Sequence, residues 1–356
     1  MENKKIIIRM LSNADSVDGQ GVGSAFLEQV ALVKEQSDIF DVYVNKMPKH
    51  VKSDIDHVHT VLPKYYVKMN SKKRPSVIYV HFLPTTLDGS IKMWKPLFNI
   101  FKWYVVKMYR RADEIVVVNP IFINPLVELG IKREGITYIP NYVSKEQFHK
   151  IDKNRVSEIR KEYGIKENAF VVMGCGQVQT RKGVLDYVEV AKMNPDIEFI
   201  WAGGFSFGSM TDGYQELKKV MDNPPSNVHF IGIIKRDRMN DIFNMSDVLF
   251  MPSFNELFPM SILEAVNSSK PVLLRDLDLY RDILFLKYQK AVDNAGFSSI
   301  VRRLKDDPQF YQECARDSDF IANYYSKENV GKMWREYYPR ILKKFIEGRA
   351  NKKQPQ

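Results

Sequence analysis

Cysteine is nearly absent: Cys175 and Cys314 are the two in 356 residues, and they stand far apart. That spacing matches neither a disulfide framework nor a zinc pattern, so no chemistry is assigned to them. Long hydrophobic runs are missing as well. No apolar stretch reaches the length of a bilayer span, and Asn3, Lys4 and Lys5 lead straight into a short strand-like run rather than a secretory leader. The expected location is therefore the cytoplasm. Acidic residues are in deficit, 43 Asp and Glu against 53 Lys and Arg, for a formal net charge of +10. The deficit is concentrated in residues 1–150, which hold 22 basic and 15 acidic side chains and leave 31 and 28 for the rest. A basic first half suits nucleic acid, an anionic membrane or simple solubility. Against nucleic acid, the positive charges are interleaved with bulky apolar residues and no recognition motif is visible.

What remains is the composition of a soluble globular protein, 44% hydrophobic and 27% charged. The length exceeds one ordinary core and predicts two domains. Strand-like runs fall at 6–10, 42–44, 77–81, 115–118, 137–139, 170–174, 199–202, 228–231, 248–251 and 272–274, with helix-sized segments between most of them. This is the βαβα order of an α/β fold with parallel sheets. The boundary is expected where a strand ends in IPNY and a charged stretch leads to the fresh strand AFVVMGCG. Domains are drawn at 1–150 and 151–325, with a C-terminal helix over 326–356 returning toward the first and ending in the disordered tail NKKQPQ. Two doubly wound parallel sheets facing a central cleft follow, with ligands at the carboxyl ends of the strands.

Four loops at such ends are informative. DGQGVGSAF places Gly19, Gly21 and Gly23 between a strand and a helix start, where unpaired N–H groups favour an anion; a tight turn without ligand is the alternative. A nicotinamide fingerprint needs GxGxxG and an acid ending the second strand, whereas this chain has GxGxG and ends that strand in Val44, Asn45 and Lys46. The second loop, GCGQVQTRKG, carries Arg181 and Lys182, able to neutralise a diphosphate, at a helix start where the dipole opposes basic residues. In the third, PSFNELFPMSILEAV, Pro259 suits the first turn of a helix, so amides near Phe258, Pro259 and Met260 point at a ligand. Glu256 precedes that helix. Glu264 lies inside it among apolar residues and needs donors, from ligand hydroxyls or from a structural Arg. The fourth, VIYVHFLPT, has His81 at the end of a strand, and a lone His there is more often a packed residue than a catalyst.

Taken together, the glutamate pair Glu256 and Glu264 followed by KPV, RKG at 181–183, IPNYV at 140–144 and IGIIKRDRMNDIFNMSDVLFMPS at 231–253 resemble the retaining glycosyltransferases of family 4 over nearly the whole chain. Within that family, MLSNADSVDGQGVGSAFLEQVALVKE is similar to the opening of Gram-positive glycolipid synthases that add a second hexose to monoglucosyldiacylglycerol. The resemblance implies the GT-B fold, with two Rossmann-like domains, and a UDP-glucose or UDP-galactose donor. It implies that Gly21 and Gly23 approach the donor phosphates. Arg181 and Lys182 would hold the diphosphate with the helix start at Phe258, Pro259 and Met260. Glu264 would bind the ribose, Glu256 and His81 the reacting sugar, and the Ile234 backbone the base. No metal cofactor is expected, because a diphosphate held by fixed positive groups is a good leaving group without one. The chain departs from the family pattern at Gln177, in the expected phosphate clamp, and at Asn141 to Ser144 and RDLDLY, residues 275–280, both bordering the expected donor pocket.

An independent signal comes from IKMWKPLFNIFKWYVVKMYRR, residues 91–111. Trp94, Leu97, Phe98, Phe101, Tyr104, Val105 and Met108 recur at helical spacing, while Lys92, Lys95, Lys102, Lys107, Arg110 and Arg111 meet no acid in the stretch. With Trp103, this suits an anionic bilayer surface; a helix packed on its own sheet with a solvated basic side is the alternative. The sequence reading is a peripheral enzyme at the cytoplasmic membrane face, moving an α-hexosyl unit to a glycolipid acceptor. A cell-wall or capsule sugar acceptor and a non-catalytic sugar-nucleotide sensor are its rivals.

Overall fold

The computed structural model describes residues 4–13, 21–69, 73–84, 94–206 and 208–351, with backbone alone at 21, 22, 210 and 351. The chain forms two compact units, residues 1–142 with 326–356, and residues 143–325. It leaves the first unit at 142/143, ahead of the boundary drawn from the IPNY turn, and re-enters it at 325/326.

The first unit is built on β1 (Ile6–Leu11), β2 (Phe40–Val44), β3 (Ile55–Val58), β4 (Ser76–Val80), β5 (Glu114–Val117) and β6 (Ile136–Tyr138). All pairings are parallel, in the order β2-β1-β3-β4-β5-β6. This is a doubly wound order of the flavodoxin-like kind, whose switch point lies between β1 and β3. β4 and β5 are buried along their whole length, as expected for parallel strands covered on both faces. β3 escapes the sequence reading because IDHV carries two polar residues in four. Asp56 is satisfied in place: Arg9 forks onto it at 2.9 and 2.6 Å across the β1–β3 register, and Ser53 Oγ donates to it at 2.7 Å. The C-terminal helix Lys327–Asn351 belongs to this unit. Val330, Trp334, Tyr337, Tyr338 and Ile341 form its buried stripe, and Gln36 Nε2 donates to the Gly331 carbonyl at 3.0 Å.

The second unit is built on β7 (Val171–Cys175), β8 (Glu198–Ala202), β9 (Val228–Gly232), β10 (Val248–Met251), β11 (Val272–Arg275) and β12 (Gln289–Ala291). Its parallel order, β12-β11-β10-β7-β8-β9, is that of a Rossmann sheet, with the switch point between β7 and β10. Tyr187, Phe199, Trp201, Phe250 and Phe297 fill its core. The Tyr187 hydroxyl reaches the Val172 and Ile200 carbonyls at 2.9 and 2.8 Å, so the largest polar tip in that core is satisfied. β12, a three-residue edge strand reading QKA, gives no apolar signal in the sequence. Both cysteines are free and buried, and burial pushes the Cys175 thiol up to about 12.

Candidate active site

The loops leaving β7 and β10 meet at the switch point of the second sheet. After β7 the chain makes a 3-10 turn, Thr180–Lys182, and reaches Gly183 at φ 69° before the helix Val184–Met193 begins. Arg181 and Lys182 therefore stand ahead of that helix rather than in its first turn, which reduces the conflict with its dipole. Gly183 is required twice over: its dihedral lies in the left-handed region, and a Cβ would run into the Pro252 carbonyl oxygen. Across this contact the Phe254 amide donates to the Arg181 carbonyl at 2.8 Å, and Arg181 Nη1 donates to the Asn255 carbonyl at 2.9 Å.

That lacing brings Glu256 onto the basic pair. Its carboxylate is 8% exposed and ion-paired with Lys182, with Arg181 Nη1 at 3.9 Å from the second oxygen. Lys182 runs over Gly176, which has φ +126° and no side chain to obstruct it. Gln177, the departure noted above, accepts from Gln179 Nε2 at 2.6 Å. Arg275 is a brace that the sequence reading did not single out. It pairs with Asp186, donates to the Pro252 and Val292 carbonyls at 2.9 Å each, and stacks 3.9 Å above Phe254. Its one signal was its place at the head of the anomalous segment RDLDLY.

Pro259 is the N-cap of the helix Met260–Asn267, one position before the expected first turn. Phe258 and Met260 are buried, 5% and 6% exposed, so their side chains pack inward and only their backbone can serve a ligand. Glu264 receives Arg236 Nη1 at 2.8 Å, so the donor left open by the sequence is met in part by an Arg at the start of the helix Arg236–Met245. Ile234 lies half-buried on the loop between β9 and that helix.

In the first unit His81 follows β4 directly and is buried. Its ring lies 4.5 Å from Tyr79 and 6.0 Å from His59, and His59 lies 4.4 Å from His57 on β3. His57 Nδ1 meets the Tyr338 hydroxyl of the C-terminal helix at 2.8 Å. Among the described residues His57 Nε2, His81 Nε2 and both ring nitrogens of His59 are buried without a partner. Burial depresses all three imidazoles, His81 to about 4, His57 to about 3 and His59 well below its ordinary value, with the neighbouring rings adding to the shift for the last two. His81 is therefore neutral near pH 7 and can exchange hydrogen bonds with an uncharged hydroxyl. His57 and His59 were missed with the strand that carries them. Gly21 opens the helix Gly21–Lys34 and Gly23 is buried in its first turn, while Gly19 lies outside the described residues.

The 91–111 stretch forms the helix Lys95–Arg111, capped by Trp94; Lys92 lies outside the described residues. The expected single stripe divides. Val105 and Met108, joined by Tyr109, are buried, but Trp94 is 76% exposed and Leu97, Ile100 and Trp103 are 51%, 60% and 61% exposed. Only the C-terminal half packs against the unit. Arg110 Nε donates to the Leu129 carbonyl at 2.7 Å and Arg111 sits 4.2 Å over Tyr66, so these two serve the unit itself. Lys102 and Lys107 cover the Phe98 and Trp103 rings at 4.7 Å each, and Lys95 is exposed.

A basic pair that one carboxylate only half neutralises, set where a doubly wound sheet receives its ligand, is the equipment of an enzyme that handles a nucleotide-activated group. Known proteins carry the same architecture. HepE from Anabaena, solved in complex with UDP-glucose, superposes with a TM-score of 0.72 at 16% identity, covering 93% of this chain and 98% of that one. Residues 155–315 match the model for Glycosyl transferases group 1, and residues 37–147 that for Glycosyltransferase Family 4. The alpha-galactosylglucosyldiacylglycerol synthase of Streptococcus pneumoniae is 42% identical over 340 residues, 95% of this chain and 90% of that protein. The processive diacylglycerol alpha-glucosyltransferase of Acholeplasma laidlawii is 26% identical over 91% of this chain and 94% of its own length. The chain belongs to the group 1 glycosyltransferases, and its two sheets are those of the GT-B fold.

Proposed function

We propose that the protein moves a hexose, glucose or galactose, from a UDP-sugar to monoglucosyldiacylglycerol at the cytoplasmic membrane face, retaining the α configuration and making a diglycosyldiacylglycerol. The observation that carries the donor half is the Lys182–Glu256 ion pair beside Arg181 at the β7/β10 switch point. A diphosphate brings two anionic groups to the place where Lys182 now has one carboxylate. It takes Lys182 and Arg181, and Glu256 is released to accept from a sugar hydroxyl. The bond from the anomeric carbon to the phosphate oxygen breaks, and the charge left on UDP is held by these side chains and by the first N–H groups of the Met260–Asn267 helix. The acceptor oxygen bonds to the anomeric carbon on the face the phosphate leaves, and its proton passes to a phosphate oxygen. Glu264, steadied by Arg236, is assigned to the ribose and the Ile234 backbone to the base. His81 is assigned to sugar hydroxyls, and Gly21 and Gly23 to phosphate.

The acceptor half rests on the 42% identical relative and on the Lys95–Arg111 helix, whose exposed tryptophans and lysines suit an anionic bilayer surface. Among the described residues no helix is long and apolar enough to cross a membrane. The test offers labelled UDP-glucose and UDP-galactose with diacylglycerol or its monoglucoside and identifies the lipid made. A labelled diglycosyldiacylglycerol supports the proposal. Transfer only to a water-soluble sugar moves the acceptor to a cell-wall or capsule precursor, and no transfer despite UDP-sugar binding makes the protein a sensor.

A further inference from the structure

Tyr280 ends the 3-10 turn Asp278–Tyr280 on the loop that leaves β11. β11 neighbours β10 and β10 neighbours β7, so three adjacent strands deliver Tyr280, Glu256 and Lys182 to one carboxyl edge. The Tyr280 ring is fully buried, edge-on to Tyr288 at 5.9 Å. Among the described residues its hydroxyl has no hydrogen-bond partner, and neither has the buried Nε of Arg181. Native proteins rarely leave a buried hydroxyl unpaired, because the lost hydration is not returned. The charged groups this hydroxyl senses are Glu256 first and Arg181 after it, both from the loops described above. Burial, with Glu256 adding to it, holds the phenol well above its ordinary range, so Tyr280 keeps its proton and is a donor.

Resting on the reading of this site as one for a UDP-hexose, we infer that Tyr280 Oη donates a hydrogen bond to a hydroxyl of the hexose, and that this hydroxyl donates onward to Glu256. The sugar hydroxyl is then the acceptor that the phenol lacks and a donor to the carboxylate freed from Lys182. Tyr280 is in this sense a specificity residue for the hexose and indifferent to the nucleotide.

Tyr280→Phe removes a single oxygen, and calorimetry of the full chain with UDP, UDP-glucose and UDP-galactose reads the effect. The expected result is UDP affinity within about twofold of wild type and affinity for the better-bound UDP-hexose lowered about tenfold. The thermal midpoint stays or rises, because an unpartnered buried hydroxyl has gone. Tyr288→Phe is the control: its hydroxyl is also unpartnered but senses Asp276 rather than Glu256, and it leaves both affinities unchanged. A lowered midpoint with UDP and UDP-hexose affinities falling together makes Tyr280 structural and overturns the inference, as does an unchanged UDP-hexose affinity. Absence of any glycosylated product with sugar-nucleotide binding intact overturns the transferase reading and leaves this one standing on its own result.

Discussion

Burying three imidazoles in one stack commits the first unit to a pH response whose sign is fixed by the direction of the shifts. The folded values of about 4 for His81 and about 3 for His57 lie below the ordinary 6.5, and His59 is shifted the same way. Between those values and 6.5 the unfolded chain binds more protons than the folded one. The stabilisation is therefore complete above pH 6.5 and is lost as pH falls toward 4 and 3. Thermal midpoints recorded from pH 7.5 to 4.5 should decline through that window, and His59→Phe should flatten the decline. A midpoint constant over the range would show that the rings are not held neutral. Nothing in VKSDIDHVHT announces this stack, since pairing of His57 with Tyr338 joins residues 281 positions apart. Glu264 shows the same limit. Its need for a donor was legible from the apolar run around it, but the identity of Arg236 depends on where the loop after β9 delivers it.

At the scale of elements, the 3-10 turn at Thr180–Lys182 ties the site together, because Gly183 lets it press against Pro252 while its carbonyl and guanidinium at Arg181 hold the next loop. Gly183→Ala combines a left-handed dihedral with a backbone collision and should cost about 2 kcal/mol or more. A fall in thermal midpoint together with weakened UDP binding is the expected readout; a midpoint equal to wild type would show that the loops do not depend on this contact. The Lys95–Arg111 helix makes a second prediction. Sedimentation with vesicles should rise with anionic lipid and fall with salt, and Trp94→Ala with Trp103→Ala should weaken it severalfold. Equal binding to neutral vesicles at high salt would remove the electrostatic part. Periodicity marked this helix but could not show that only its C-terminal half finds a sheet to pack on. Strands rich in Val, Ile and Phe declared themselves in the same way. β3 did not, because half of its residues are polar, Asp56 being met by Arg9 and Ser53 and one ring nitrogen of His57 by Tyr338, and neither did β12, which is too short to display a pattern.

Over the whole molecule, alternation of strands and helices was enough to specify parallel doubly wound sheets, because a parallel connection requires a crossover and most crossovers here carry a helix, the link from β2 to β3 excepted. The strand orders themselves, flavodoxin-like in one unit and Rossmann in the other, were not legible. They depend on which edge each crossover returns to, and that is settled by packing far apart in sequence. The same holds for the C-terminal helix, whose buried stripe of Trp334, Tyr337 and Tyr338 finds its complement on elements of the first unit.

The central claim is that Lys182, now neutralised by Glu256, is the principal cation for a donor diphosphate. Calorimetric titration of UDP into the wild-type chain and into Lys182→Met tests it directly. Loss of one charge-assisted contact predicts that UDP binds Lys182→Met roughly 10- to 100-fold more weakly, with the fold intact by thermal midpoint. Equal UDP affinity in the two proteins would contradict the account.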